Sequence, residues 1–148
     1  MESGTVMNDQ ASANPAPLRY YSWRQILLGT FLGSTICGAY LVAQNFKTLG
    51  RPKQVKGAYI LGVGLVAAAV GIDPLLPPHA SNTGIAFICA AVFAQYARQA
   101  QGKAIADRLA AGDALRSWWT VAGIGLLFMV AVLAVVVAVM FGYQLVSK

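Results

Sequence analysis

The side chains that could do chemistry are few in this chain, and two of them share one short polar stretch. His79 is the only histidine, and Asp73 is the only acid in the same stretch. Together they could act as an acid–base pair or supply two metal ligands. Two ligands do not close a metal site, and a polar turn between apolar segments usually lies in solvent. We therefore expect a solvated turn, with no metal and no cofactor. A membrane enzyme using this pair at the outer face is the third hypothesis for function.

The remaining nucleophiles do not form a catalytic pattern. Cys37 and Cys89 each lie inside a long apolar stretch, at a separation that makes no metal-ligand motif. They are expected to be small apolar packing residues. Ser81 and Ser117 have no base in a recognisable arrangement. These residues predict a protein that is not an enzyme.

The composition places these residues in a membrane protein. Of 148 residues, 57% are apolar and 11% are charged, whereas about 25% charged is typical of soluble domains. The mean hydropathy is +0.60. The formal net charge of +6 does not indicate a nucleic-acid partner, because the basic residues lie between apolar segments. There they set topology and contact anionic headgroups, so the lipid bilayer is the first expected partner.

The apolar segments predict an all-α membrane protein with four transmembrane helices. None alternates apolar and polar residues as a barrel strand would, and about 20 residues suffice to cross the hydrocarbon core. A polar tail over residues 1–18, expected to be disordered, precedes a transmembrane domain over 19–148. The polar residue Asn45 is expected to reach the headgroups. The predicted spans cover about 25–46, 57–76, 81–97 and 119–142.

Basic residues predict the orientation. The second loop has no Lys or Arg, whereas the first and third loops are basic, so these two should be cytoplasmic and both termini outside. Arg19 and Arg24 directly precede the first apolar segment. If that segment were re-entrant rather than spanning, they would also lie inside, and this alternative stays open. The first basic loop contains Lys47, Arg51, Lys53 and Lys56.

The third loop, residues 98–117, is rich in helix formers. A short interfacial helix fits this composition, and a cytosolic extension of the third span fits it about as well. In either case Gly112 and Asp113 should end the helix.

Small residues recur at helix-packing intervals in the first and last spans. Small side chains allow close helix approach, so these positions predict packing within the bundle or against a partner. No ionisable residue lies near the middle of a predicted span, which argues against a proton-coupled exporter. The candidates are Gly29, Gly33, Gly38, Ala134, Ala138 and Gly142.

Two stretches of the chain carry a resemblance. The first contains Phe31-Leu32-Gly33, Gly38-Ala39-Tyr40-Leu41, Asn45-Phe46-Lys47 and Leu49-Gly50-Arg51; the second contains Ser117-Trp118 and Gly123-Ile124-Gly125. This pattern resembles a group of small, uncharacterised, polytopic inner-membrane proteins of bacteria. The chain departs from the group at Ser34 and Thr35, where Gly-Pro is expected. The resemblance implies a multi-pass protein of the bacterial inner membrane and implies no activity.

The function expected from these features is contact with other membrane proteins. The protein would be a non-enzymatic accessory or assembly subunit, or an immunity protein against a membrane-acting toxin. Its partner would be another membrane protein or a second copy of itself. The alternative is a small oligomeric transporter or channel, with a pore built from Thr, Ser, Gln and Asn.

Overall fold

A computed structural model of the chain describes residues 16–72 and 82–146. Within these ranges the α1, α2 and α4 helices are long and apolar enough to cross a membrane, which supports a helical membrane protein. The elements in chain order are β1 (Arg19–Tyr20), α1 (Trp23–Thr48), α2 (Pro52–Ile72), α3 (Asn82–Ala110), β2 (Ala114–Leu115) and α4 (Trp118–Val146).

The ends of α1 follow from local sequence signals. Ser22 caps the helix by accepting from the Gln25 backbone N–H, and the Gln25 side chain accepts from the Ser22 backbone N–H. This reciprocal pair satisfies two of the donors that a helix start leaves open. Gly50 then takes a φ of +70°, which favours glycine and ends the helix. Pro52 starts α2, where its missing N–H costs nothing.

The chain reverses direction in the middle of α1. Ser34 has φ 83° and ψ 170°, which is not helical. In a straight helix Tyr21 and Asn45 would lie about 36 Å apart. Instead the Tyr21 backbone N–H donates to Asn45 Oδ1 at 2.8 Å. The α1 helix is therefore a hairpin, with a first arm over residues 23–33, a tip at Ser34 and a second arm over residues 35–48.

The hairpin corrects the prediction of one continuous helix over 25–46. By helical rise the first arm is about 16 Å long and the second about 21 Å, and neither matches a hydrocarbon core of about 30 Å. The length of α1 as a whole thus overstates how far it reaches along the bundle.

The α1 hairpin forms the centre of the fold. The helices α2, α3 and α4 each pack on it, and no other pair of helices packs extensively in the part of the chain that is described. Buried residues of both arms, including Ile26 and Leu41, form the core with Phe93 of α3 and Val121 of α4. The α1 segment, which hydropathy predicts as a simple membrane span, is therefore the element on which the other three helices pack.

The third loop is shorter than predicted, because α3 continues without interruption to Ala110. An extension of the third helix therefore describes this region, and the prediction of a separate short interfacial helix was wrong. Gly112 follows with a φ of +102°, and the helix ends where predicted. The β2 strand then pairs in parallel with β1, placing Arg19 opposite Ala114 and Tyr20 opposite Leu115.

Candidate functional site

A buried amide network closes the base of the hairpin. Asn45 Nδ2 donates to the Tyr21 carbonyl oxygen at 2.8 Å and to Gln101 Oε1 at 3.0 Å. Gln101 Nε2 donates to the Val42 carbonyl oxygen at 2.9 Å. Both amide side chains are only 1% exposed. Asn45 therefore does not reach the headgroups as expected; it joins the segment before α1 to the second arm and to α3.

A second set of contacts ties the same end of the hairpin to the segment before α4. Gln25 Nε2 donates to the Arg116 carbonyl oxygen at 2.6 Å, and the Leu18 backbone N–H donates to Asp113 Oδ1 at 3.0 Å. The Arg116 guanidinium lies 5.2 Å from the Tyr21 ring centre. The first arm thus begins at a fixed position beside the loop between α3 and α4.

Tyr20 is fully buried in this region. Burial raises the pKa of its hydroxyl above the ordinary value of 10.0, and the nearby Asp113 carboxylate raises it further.

The tip of the hairpin carries a polar atom without a partner. The Ser34 Oγ atom is buried and makes no hydrogen bond to any residue the structure describes. The residue also has a backbone conformation that only glycine adopts without strain. The second arm begins directly after it, and the first N–H groups of a helix have no acceptor within that helix.

A cavity of about 410 Å³ lies against this tip. The hairpin contributes Thr30, Ser34 and Thr35. The walls are apolar and come from the later half of α2 and the early part of α3, and Leu65 and Ile85 are among their residues. The cavity therefore has three hydroxyl-bearing residues on its hairpin side, and apolar side chains together with Cys89 elsewhere.

The predicted packing residues fall into two groups. Gly29 and Gly38 lie where the arms meet, and a Cβ atom at Gly38 would overlap Thr30. A Cβ atom at Gly33 would lie 2.8 Å from the Gly125 carbonyl oxygen of α4. These three glycines thus occupy points of close backbone approach. Ala134, Ala138 and Gly142 are exposed, and they lie in a stretch of α4, residues 129–145, in which every side chain is exposed.

The basic residues of the first loop, Lys47, Arg51, Lys53 and Lys56, are all exposed. Because the hairpin returns to its starting side, Arg19 and Arg24 lie at the same end of the bundle as this loop. The extension of α3 ends there too, since β2 pairs with β1. The ten Lys and Arg residues of the described ranges thus belong to one end of the molecule.

The acid–base candidates Asp73 and His79, together with Ser81, lie outside the described residues. Cys37 is buried in the hairpin, and Cys89 is buried beside the cavity.

Sequence reasoning missed the hairpin tip and the role of Gln101. Gln101 could have been found as an amide on the α3 extension, but its partners are 56 and 59 residues away in the chain. The signal for the tip was the pair Ser34-Thr35 at the place where Gly-Pro was expected, since glycine tolerates a positive φ and proline suits the first position of a helix.

Comparison of the chain with protein-family models, with curated proteins and with solved structures finds no match.

Proposed function

We propose that α1 enters the membrane as a re-entrant hairpin while α2, α3 and α4 span it. The hairpin geometry supports this placement, because both ends of α1 meet at the basic end of the bundle. The basic end is then cytoplasmic, the N-terminal segment is inside and the end of α4 is outside. Backbone that is not helical is tolerated at membrane depth only when protein covers it, and at the tip Ser34 and Thr35 are partly buried, with the Ser34 Oγ atom fully covered. The predicted bacterial inner membrane fits this arrangement.

Cysteine labelling from one side of the membrane tests the placement. In a chain carrying Cys37→Ala and Cys89→Ala, single cysteines replace the exposed, uncharged residues Ala16 and Gln54, which flank α1. The re-entrant hairpin predicts that an impermeant maleimide labels both positions only from the cytoplasmic side. Ala111→Cys, in the loop after α3, serves as the cytoplasmic control. If the impermeant maleimide labelled Ala16→Cys from outside, α1 would have to cross the membrane, and the proposal would be refuted.

The function that we propose is non-enzymatic contact with other membrane proteins, as an accessory or assembly subunit or a toxin-immunity protein. The observation that carries it is the exposed second half of α4. Residues 129–143 form about 22 Å of helix whose side chains are all exposed. Ala134, Ala138 and Gly142 lie one turn apart on this stretch. Small residues at this spacing let a partner helix approach closely in lipid.

Substitution on α4 tests this function. Ala138→Leu adds bulk to the small-residue face, and Val139→Leu is a matched control beside it on the same exposed stretch. In mild detergent, native mass spectrometry of the wild-type protein should show a second protein in fixed stoichiometry. Ala138→Leu should lose that protein, and Val139→Leu should keep it. If the native mass spectrum showed the wild-type protein only as a monomer without a second protein, the proposal would be contradicted.

The second candidate function is a small oligomeric transporter or channel. It is favoured by one observation, the hydroxyl-bearing hairpin tip that ends inside the bundle beside a cavity. Broken helices of this kind form substrate and ion sites in transporters. A homo-oligomer without another protein, together with solute flux into liposomes, would favour this function. A monomer that leaves liposomes impermeable would exclude it.

A further inference from the structure

We propose that a groove at the basic end of the bundle binds the headgroup of one anionic phospholipid. The groove lies between the start of α1 and the extension of α3 and has a volume of about 250 Å³. Trp23 and Ile26 line it on the α1 side, Ile105 and Leu109 line it on the α3 side, and Leu115 of β2 also contributes. Its level in the bilayer rests on the membrane placement proposed above.

Each wall of the groove carries an arginine. On the α1 side, the Arg24 guanidinium carbon lies 5.2 Å from the centre of the Trp23 ring. On the α3 side, Arg98 Cγ lies 3.8 Å from the position that a Cβ atom would take at Gly102, and Gly102 itself lines the groove. Both arginines are exposed, so their guanidinium groups are accessible to a ligand.

The acids of the described residues do not compensate these two arginines. The described ranges contain ten Lys and Arg but only two acids, Asp107 and Asp113. Asp107 follows Arg98 by nine positions, which places it on the opposite face of α3. Asp113 accepts a hydrogen bond from the Leu18 backbone N–H, beside β1. The positive charges at the groove are therefore left for an external anion, and guanidinium groups bind phosphate with bidentate geometry.

The level of the groove selects a lipid headgroup over a soluble anion. Trp23 and Arg24 directly precede the first apolar segment, and Arg98 directly follows the third predicted span. In the proposed placement this level is the cytoplasmic membrane interface, where the phosphates of phospholipids lie. The Trp23 side chain is 40% exposed, and tryptophan rings prefer the same level.

The size and charge of the groove define the ligand further. Sites that enclose a whole drug-sized ligand have about 300–1,000 Å³, so a groove of about 250 Å³ holds the phosphate and its glycerol groups and leaves the acyl chains in the bilayer. A zwitterionic phospholipid would bring its own cation towards Arg24 and Arg98. A headgroup with a phosphate and hydroxyl groups, as in phosphatidylglycerol, avoids that repulsion.

Binding of phosphatidylglycerol to the delipidated full-length protein tests the proposal. Native mass spectrometry in a neutral detergent counts the bound molecules. The wild-type protein should bind one phosphatidylglycerol, and phosphatidylcholine should bind at least tenfold more weakly. Arg24→Gln combined with Arg98→Gln should weaken binding of phosphatidylglycerol at least tenfold. Lys53→Gln combined with Lys56→Gln is the matched control, because it removes the same charge from the same end but outside the groove, and it should change the affinity less than threefold.

A second pair of variants tests the position of the lipid without changing charge. Gly102→Leu places a side chain in the groove and should weaken binding at least tenfold, whereas Gly64→Leu, which meets open space on α2, should leave binding unchanged. Equal losses in the arginine and lysine variants would show only a general attraction to the basic end and would overturn the proposal. Equal affinity for phosphatidylcholine would also overturn it, as would displacement of the lipid by an equal concentration of glycerol phosphate or of an acidic peptide. Since binding in detergent does not depend on sidedness, cysteine labelling and this titration fail independently.

Discussion

Replacement of Ser34 by glycine should stabilise the protein, which is unusual for a change to glycine inside a helix. A residue with a side chain in this backbone region costs about 1–3 kcal/mol. Glycine also increases the conformational entropy of the unfolded chain, and this destabilises the folded state by about 0.4–1 kcal/mol. Loss of the buried, unpaired hydroxyl contributes about 1 kcal/mol more. The expected gain is therefore about 1–3 kcal/mol, or a rise in Tm of about 3–10 °C.

The assay is equilibrium unfolding in mixed detergent micelles, followed by circular dichroism. Ser34→Ala removes the hydroxyl but keeps a Cβ atom at positive φ, so the difference between the two variants isolates the backbone term. Ala104→Gly, in the regular part of α3, is the control and should lose about 1 kcal/mol. If Ser34→Gly were no more stable than Ser34→Ala, the backbone at the tip would not have the conformation from which the hairpin follows.

Three further predictions concern the amide network at the base of the α1 hairpin, the contact between α1 and α4, and the dependence of stability on pH. Asn45→Ala should cost about 2–4 kcal/mol, because it leaves three buried groups unpaired, whereas Gln95→Ala on the exposed face of α3 should change unfolding by less than about 0.5 kcal/mol. Gly33→Ala should lower Tm, because its methyl group would push α1 away from α4. Gly64→Ala should leave Tm unchanged, because its methyl group would lie in open space. Because the pKa of Tyr20 is raised in the folded state, the stability that its neutral form contributes is present below about pH 10 and is lost as pH rises through the folded pKa. In unfolding measurements at alkaline pH, the Tyr20→Phe variant should lose less stability than the wild-type protein. If both proteins lost stability equally as pH rises, the raised pKa of Tyr20 would be contradicted.

The parts of the fold that could be predicted depend on local signals. Gly50 and Pro52 end one helix and begin the next, and Gly112 marks the end of α3, because positive φ and a missing N–H are properties of single residues. Apolar length likewise indicates membrane-spanning helices. These signals report where a helix starts and stops, and which segments prefer lipid.

The reversal in α1 could not be predicted in the same way. Hydropathy is the same for a chain that crosses a membrane and for one that enters and returns, so the apolar stretch from 25 to 46 fits both. The residues that decide between them are Asn45 and Gln25, whose partners become apparent only when distant segments are brought together. The cavity was missed for the same reason, since its lining comes from three helices that are separate in sequence.

The contacts at the base of the hairpin have a consequence for biosynthesis. Several of the residues that hold α1 in place are made long after it: Gln101 follows Asn45 by 56 residues, Arg116 follows Gln25 by 91, and Asp113 follows Leu18 by 95. When the ribosome has completed α1, none of these partners exists. The nascent hairpin can close through the contacts between Tyr21 and Asn45, but its contacts with α3 and with the segment before α4 form only after those segments have emerged. The contacts of the first helix to be translated are therefore among the last to be completed.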